Sequence, residues 1–114
     1  MRFSVVVPLY NKENCIRMTL ESVKKQSFKD YEVIVVDDGS TDCSLEEARK
    51  IKSENITIIH QQNQGVSVAR NTGILHAQGQ YIAFLDADDE WEPDYLKTID
   101  HLIEKYPESD MYVT

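Results

Sequence analysis

The run Tyr31-Glu32-Val33-Ile34-Val35-Val36 is β-branched and apolar almost without a break. A strand half exposed to water shows alternation, and this one lacks it. Phe3-Ser4-Val5-Val6-Val7 has the same character and is read as stopped by Pro8. Strands that are apolar on both faces must be covered on both, which fits a parallel sheet flanked by helices. Ile56-Thr57-Ile58-Ile59 and Tyr81-Ile82-Ala83-Phe84-Leu85 supply two further strands of this kind. Helical spacing fills the gaps. Ile16, Leu20 and Val23 recur at three and four residues, and Ser44-Leu45-Glu46-Glu47 has the form of a capping box opening a short helix through Ala48 and Ile51. Val66, Ala69, Gly73 and Ala77 make a narrow small-residue stripe suited to close packing on a sheet. Pro93 stands at a first helical position before Leu96, Ile99, Ile103 and Tyr106.

The βαβαβαβα order predicts an α/β fold: a doubly wound, mainly parallel sheet with helices on both faces and right-handed crossovers. Met111-Tyr112-Val113-Thr114 reads as the start of a fifth strand. A chain that stops within a strand is expected to be a fragment of a larger domain, a complete domain closed by a short edge strand being the other reading. The 114 residues make one domain or a piece of one, without repeats, linkers or low-complexity tracts.

Composition narrows the function. An apolar fraction of 41% and a charged fraction of 28% describe an ordinary soluble globular protein. No apolar run nears the roughly 20 residues of a membrane helix. Met1-Arg2-Phe3-Ser4 leads into a strand rather than a signal peptide, so a cytoplasmic location is expected. The net charge of −8 argues against nucleic acid as a partner. It also means that an anionic ligand needs a counter-charge, which a divalent metal would supply. Cys15 and Cys43 are too few for a disulfide framework or a zinc site and read as incidental thiols. His60, His76 and His101 lack metal spacing and read as surface or packing residues.

Polar residues collect where the strands end. Asp86-Ala87-Asp88-Asp89 places three carboxylates within four residues, and a spacing of two lets Asp86 and Asp88 converge on one small divalent cation. Asp37-Asp38-Gly39-Ser40 ends the second strand in the same way, although acidic turns before helices also arise for capping reasons alone. Ligands of open α/β sheets bind beyond the carboxyl ends of the strands, at the point where strand order reverses. With the order 3-2-1-4, these two loops and Pro8-Leu9-Tyr10-Asn11 line one crevice. Gly65 opens a helix whose free N–H groups can face an anion, and Arg70 is placed to reach back to a phosphate. Arg70 pairing with a surface carboxylate, and Gly65 and Gly73 serving packing, are the plainer readings. Trp91 reads either as a core anchor or as a wall of a sugar pocket.

In order along the chain, Pro8-x-Tyr10-Asn11, Val36-Asp37-Asp38-Gly39-Ser40-x-Asp42, Asn63-x-Gly65-x-x-x-Ala69-Arg70-Asn71-x-Gly73 and Leu85-Asp86-x-Asp88-Asp89 resemble the nucleotide-sugar-binding half of a family 2 glycosyltransferase with a GT-A fold. The resemblance runs from the first strand through Pro93-Asp94 and makes residues 1–114 the donor-binding part of such a domain. It implies that Pro8, Tyr10 and Asn11 contact the base and ribose, that Asp37 accepts the uracil N3–H, and that Arg70 approaches the uracil or the diphosphate. Gly65 and Ala87 fall among the nucleotide-binding positions. Asp86 and Asp88 form the Asp-x-Asp element, Asp88 ligating Mn²⁺ or Mg²⁺ directly and Asp86 lying nearer the ribose. The implied reaction moves a sugar, with inversion, from a UDP-sugar to a hydroxyl of a carbohydrate or glycolipid acceptor, as in polysaccharide biosynthesis. The general base and the acceptor surface are expected beyond Thr114, so no catalytic base is assigned within the chain. Membrane association would come only through segments absent from these residues, and the resemblance does not specify an oligomeric state.

Rival readings share the architecture. A nicotinamide-binding domain needs Gly-x-Gly-x-x-Gly after the first strand, where this chain has Pro8-Leu9-Tyr10-Asn11. A phosphotransferase of the Asp-x-Asp type carries that pair after the first strand, not the fourth. An EF-hand needs glycine at the sixth loop position, which is Trp91. The alternative that remains is a nucleotide-binding fragment that lacks the general base and does not turn over.

Overall fold

The computed structural model describes residues 1–51 and 53–112. Along them run β1 (Phe3–Leu9), α1 (Ile16–Lys24), β2 (Tyr31–Asp38), α2 (Ser44–Arg49), β3 (Ile56–Gln61), α3 (Val66–His76), β4 (Tyr81–Phe84) and α4 (Tyr95–Lys105). The strands form one sheet in the order β3-β2-β1-β4, with every neighbouring pair parallel. This is the α/β architecture and strand order that the segment pattern predicts.

Register explains the two layers. Phe3, Val5, Val7 and Leu9 of β1 point to the same face as Tyr31, Val33 and Val35 of β2, and there they meet Ile16, Leu20 and Val23 of α1, Ala48 of α2, and Leu96, Ile99 and Ile103 of α4. On the other face Ile34 and Val36 meet Ala69 of α3, with Ile59 beside them. Gly73 allows this close approach, because a Cβ there would lie 2.4 Å from a methyl of Val6. The small-residue stripe is therefore a packing device on α3. The two central strands are buried on both faces, as their unbroken apolar character requires. The edge strands are not: in β4, Tyr81 and Ala83 pack on the larger core, whereas Ile82 and Phe84 are exposed.

Other local expectations change. Pro8 does not stop β1; it pairs with Val36, and the strand continues to Leu9. The Val6 carbonyl accepts from the Leu85 N–H, so the equivalent direction at Pro8 faces the side where β4 has already ended. A missing N–H costs nothing there. The capping box does not form either: Cys43 is the N-cap of α2, without a side-chain cap, and α2 ends at Arg49. The Ser44 hydroxyl is diverted, receiving the Lys12 N–H at 2.8 Å and donating to Asp42. Pro93 lies before α4, whose N-cap is Asp94. Met111 and Tyr112 carry no strand, and the rest of the expected fifth strand, residues 113–114, lies outside the described residues. Among the described residues, no helix is long and apolar enough to cross a membrane.

Gln26, fully buried at the end of α1, supplies the cap that α4 lacks. Its Oε1 accepts the Leu96 N–H at 3.0 Å, and its Nε2 donates to the Glu92 carbonyl at 2.7 Å. The pair fixes the segment that follows the acidic loop against α1. Gln26→Leu keeps the volume but leaves both backbone groups unpartnered, and is expected to lower stability by about 1–3 kcal/mol. Urea denaturation measures this, and an unchanged midpoint would show that the amide contributes nothing net.

Candidate functional site

The β1–α1 and β2–α2 loops are zipped together by side chains that accept backbone N–H groups. Asn11, in the left-handed region at φ 50°, donates its N–H to the Ser40 hydroxyl at 3.0 Å, and its Oδ1 accepts the Thr41 N–H at 2.8 Å. Asp42 accepts the N–H of Glu13 at 3.2 Å and of Ser44 at 2.9 Å, and the Glu13 carboxylate accepts the Cys43 N–H at 2.9 Å. Asn11 thus spends its carbonyl oxygen on the loop. Partial burial alone would raise the Asp42 carboxyl, but the Ser44 hydroxyl and the amides of Ser44 and Glu13 outweigh it and hold the group below the usual carboxylate range.

Asp37 and Asp38 are both strand residues, so period 2 sends their side chains to opposite faces. Asp37 lies beneath the α1–α2 face, wholly buried, with one oxygen 2.7 Å from Nδ1 of His60 and the other without a hydrogen bond. His60, exposed at the surface as the sequence reading allows, is its register partner on β3. Asp38 points to the α3 face. It lines a pocket of about 280 Å³ together with Pro8, Leu9, Tyr10, Asn63, Gly65, Val66 and Ala69. Tyr10 is 45% exposed. The structure therefore brings Pro8, Tyr10 and Gly65 together with Asp38, and places Asp37 behind them.

The acidic loop continues the alternation of β4. Leu85 and Ala87 are buried in the larger core while Asp86 and Asp88 point outward. Buried Thr19 of α1 fixes this arrangement, its hydroxyl lying 2.9 Å from the Ala87 carbonyl and 2.7 Å from that of Asp89. Ala87 thus anchors the loop with its methyl in the core. Each outward carboxylate faces a cation: Arg70 lies 3.5 Å from Asp86 and Lys12 lies 3.5 Å from Asp88. Arg70 also sits over the exposed Phe84 ring. All four charged groups are roughly half exposed, so these pairs are weak and exchangeable.

Among the described residues, no cluster of three or more His, Cys, Asp or Glu side chains is arranged to hold a metal. Two outward carboxylates with hard oxygen donors remain, a set that suits an ion completing its shell with water and ligand phosphates. A larger open groove, about 670 Å³, runs along the outer side of α1 past Arg17, Met18, Glu21 and Trp91. It holds neither the acidic pair nor Asp38. Trp91 stacks on Tyr95 at 4.4 Å and packs on the larger core, which favours the core-anchor reading. Sequence reasoning missed Lys12, Thr19, Asp38 as a pocket residue, and His60.

Residues 4–114 match the family described as Glycosyl transferase family 2. The chain is 42% identical over 107 residues to the glycosyltransferase GlyA of Streptococcus pneumoniae serotype 4, a match covering 92% of this chain and 15% of GlyA. S. aureus TarS 1-349 in complex with UDP-GlcNAc superposes with a TM-score of 0.88 at 36% identity, over 94% of this chain and 32% of that one. The mannosyltransferase PcManGT from Pyrobaculum calidifontis, in complex with GDP-Man and Mn²⁺, gives 0.84 at 29% identity, over 90% of this chain and 32% of that one. The chain therefore spans a third or less of the length of each of these relatives.

Carboxylates held below their usual range stabilise the fold while ionised. That contribution is complete above the unfolded carboxylate value, about 4, and is lost as pH falls through the lowered folded value. Denaturation midpoints are expected to fall below about pH 4. Asp42→Asn should be less stable than the wild type at neutral pH but lose less on acidification; parallel pH profiles for the two proteins would contradict the assignment.

Proposed function

The chain belongs to glycosyl transferase family 2, and from that premise we propose that it forms the donor-binding part of an enzyme moving a sugar from a nucleoside-diphosphate sugar to an acceptor hydroxyl. The observation that carries this reading is that the carboxyl ends of β1 and β2 line a small pocket while the loop after β4 carries an outward acidic pair faced by Arg70 and Lys12. An α/β sheet places ligands at this position.

In this reading the base enters the pocket between Pro8, Tyr10 and Gly65, with Tyr10 stacking on it. Uridine is the preferred nucleoside, consistent with the UDP-GlcNAc complex of TarS. Asp37 meets uracil N3–H only if His60 moves aside, because its side chain is sealed beneath the strand ends. Arg70 and Lys12 turn from their carboxylates to the diphosphate. Asp88, assisted by Asp86, would hold Mn²⁺ or Mg²⁺, whose bound charge neutralises the leaving diphosphate. Transfer inverts the sugar carbon, with the general base and the carbohydrate or glycolipid acceptor surface supplied by the part of the relatives' length that this chain does not span. The setting is polysaccharide biosynthesis at the cytoplasmic side.

A second reading, binding without turnover, applies to these residues alone. It is favoured by the engagement of four crevice carboxylates: Asp37 with His60, Asp38 with the 61–65 segment, Asp86 with Arg70 and Asp88 with Lys12.

UDP with Mn²⁺ is expected to raise the melting temperature, since a ligand at 100 times its Kd adds about 2.7 kcal/mol to the folded state. That corresponds to a rise on the order of 10 °C. A folded chain showing no shift with UDP and Mn²⁺ together would sink the site assignment, and transfer to an acceptor would exclude the second reading. Asp88→Ala, half exposed in a loop, should melt like the wild type without ligand but lose the Mn²⁺-dependent part of the shift. A variant that keeps that part removes Asp88 from the metal site.

A further inference from the structure

We infer that Thr19 is a positioning residue for the acidic pair: from α1 it pins the turn that carries Asp86 and Asp88, so that the two carboxylates favour a small divalent ion over a large one. The inference rests on the reading that this pair holds a metal. β4 ends at Phe84 and α4 starts at Tyr95, so residues 85–94 carry no helix or strand. Their backbone groups must find partners elsewhere. α1 and the residues just after it supply several of them. Thr19 is 1% exposed, and its hydroxyl lies 2.9 Å from the Ala87 carbonyl and 2.7 Å from that of Asp89. The Ser22 hydroxyl accepts the Trp91 N–H at 3.2 Å, and the Pro93 carbonyl accepts the Ser27 N–H at 2.9 Å. With Gln26 on Glu92 and Leu96, these groups make one polar edge that holds the segment along its length.

Thr19 is the member of that edge that acts at the carboxylates. Asp86 and Asp88 occupy the first and third positions of a turn closed by the Asp89 N–H on the Asp86 carbonyl at 3.0 Å. The entry to the turn is fixed by the Leu85 N–H on the Val6 carbonyl, also at 3.0 Å, and its second residue, Ala87, is buried. A hydroxyl has one proton, so both carbonyls that face α1 share it and both lose it together. Like charges two residues apart repel, and a slack loop relieves that by letting them separate. A pinned turn does not. Mg²⁺ demands a near-octahedral shell at about 2.0–2.1 Å, whereas Ca²⁺ takes a looser one at about 2.3–2.6 Å. A fixed pair of carboxylates therefore suits the smaller ion, and a slack pair the larger.

The test is Thr19→Val, which keeps the branched shape and removes the hydroxyl. In the absence of ligand, hydrogen exchange at the Asp89 amide should accelerate about tenfold, while amides of β1 and β2 stay protected. With UDP present, calorimetric titration should show Mg²⁺ binding about tenfold more weakly and Ca²⁺ less than about threefold more weakly. Thr19→Ser restores the hydroxyl and should return both readouts to within about twofold of the wild type. Unchanged exchange at Asp89 overturns the inference. So does an equal loss for the two ions, which is the mark of a fold merely loosened, and so does a serine variant as weak as the valine one. If the wild type binds neither ion, the metal site of the proposed function fails and the ion preference with it, while exchange at Asp89 still decides whether Thr19 pins the turn. Should Thr19→Val not fold, Ala87→Gly withdraws the turn's methyl from the core and is expected to show the same pattern at smaller size; no change there also counts against the pinned turn.

Discussion

The parallel ladder between β1 and β2 is the constraint on which the other elements depend. Seven registered pairs run from Phe3 with Tyr31 to Leu9 with Asp37, and nearly all of these side chains are buried. Burial on both faces leaves no latitude for a slip of one residue, which would exchange the partners of α1 and α3. Because the ladder fixes the phase, it also fixes which acidic side chain faces which layer at its carboxyl end. The site inherits its geometry from the core.

Much of this was legible in the chain. Unbroken β-branched runs separated by helical spacing leave few arrangements other than a parallel sheet, and the acidic strand ends point to its carboxyl edge. The division of labour between Asp37 and Asp38 was not legible, because it turns on how far β2 extends. A strand ending at Val36 leaves both residues in a loop; a strand ending at Asp38 sends them to opposite faces. Pro8 misled for a related reason. Its missing N–H matters only if a neighbour reaches that far, and β4 ends too early. Thr19 and Gln26 carry no local sign of these roles, since the groups they hold in the acidic loop and at α4 lie between 66 and 70 residues away. Side chains that satisfy distant backbone groups are invisible to any window of sequence.

The edge strands show the limit of reading burial from composition. Ile56–Gln61 and Tyr81–Phe84 look like the central strands in sequence, yet among the described residues each has a ladder partner on one side only. Apolar composition records that a face is fit to be covered, whereas coverage depends on what lies beyond the edge. Ile82 and Phe84 make the difference concrete, with Arg70 stacked over Phe84 being the contact that the crevice supplies there.

A chain of net charge −8 that gathers carboxylates at one edge has to neutralise them, and it does so in two distinct ways. Asp38 and Asp42 are met by amide and hydroxyl donors fixed by the fold, and Asp37 by His60. Such partners are part of the folded state, and for the buried Asp37 and Asp38 removing one leaves a carboxylate oxygen without its partner. Asp86 and Asp88 are met by half-exposed cations at 3.5 Å, interactions worth little in water. The first set can hold a shape and the second can change partners. Both are needed at a site for an anionic ligand: the permanent pairs keep the pocket walls in place, and the weak pairs release two cations and two carboxylates together. Under the proposed donor-binding reading, a ligand bearing a diphosphate and a divalent ion would take up both halves of what is released, so the crevice would stay close to electroneutral whether the ligand is bound or not.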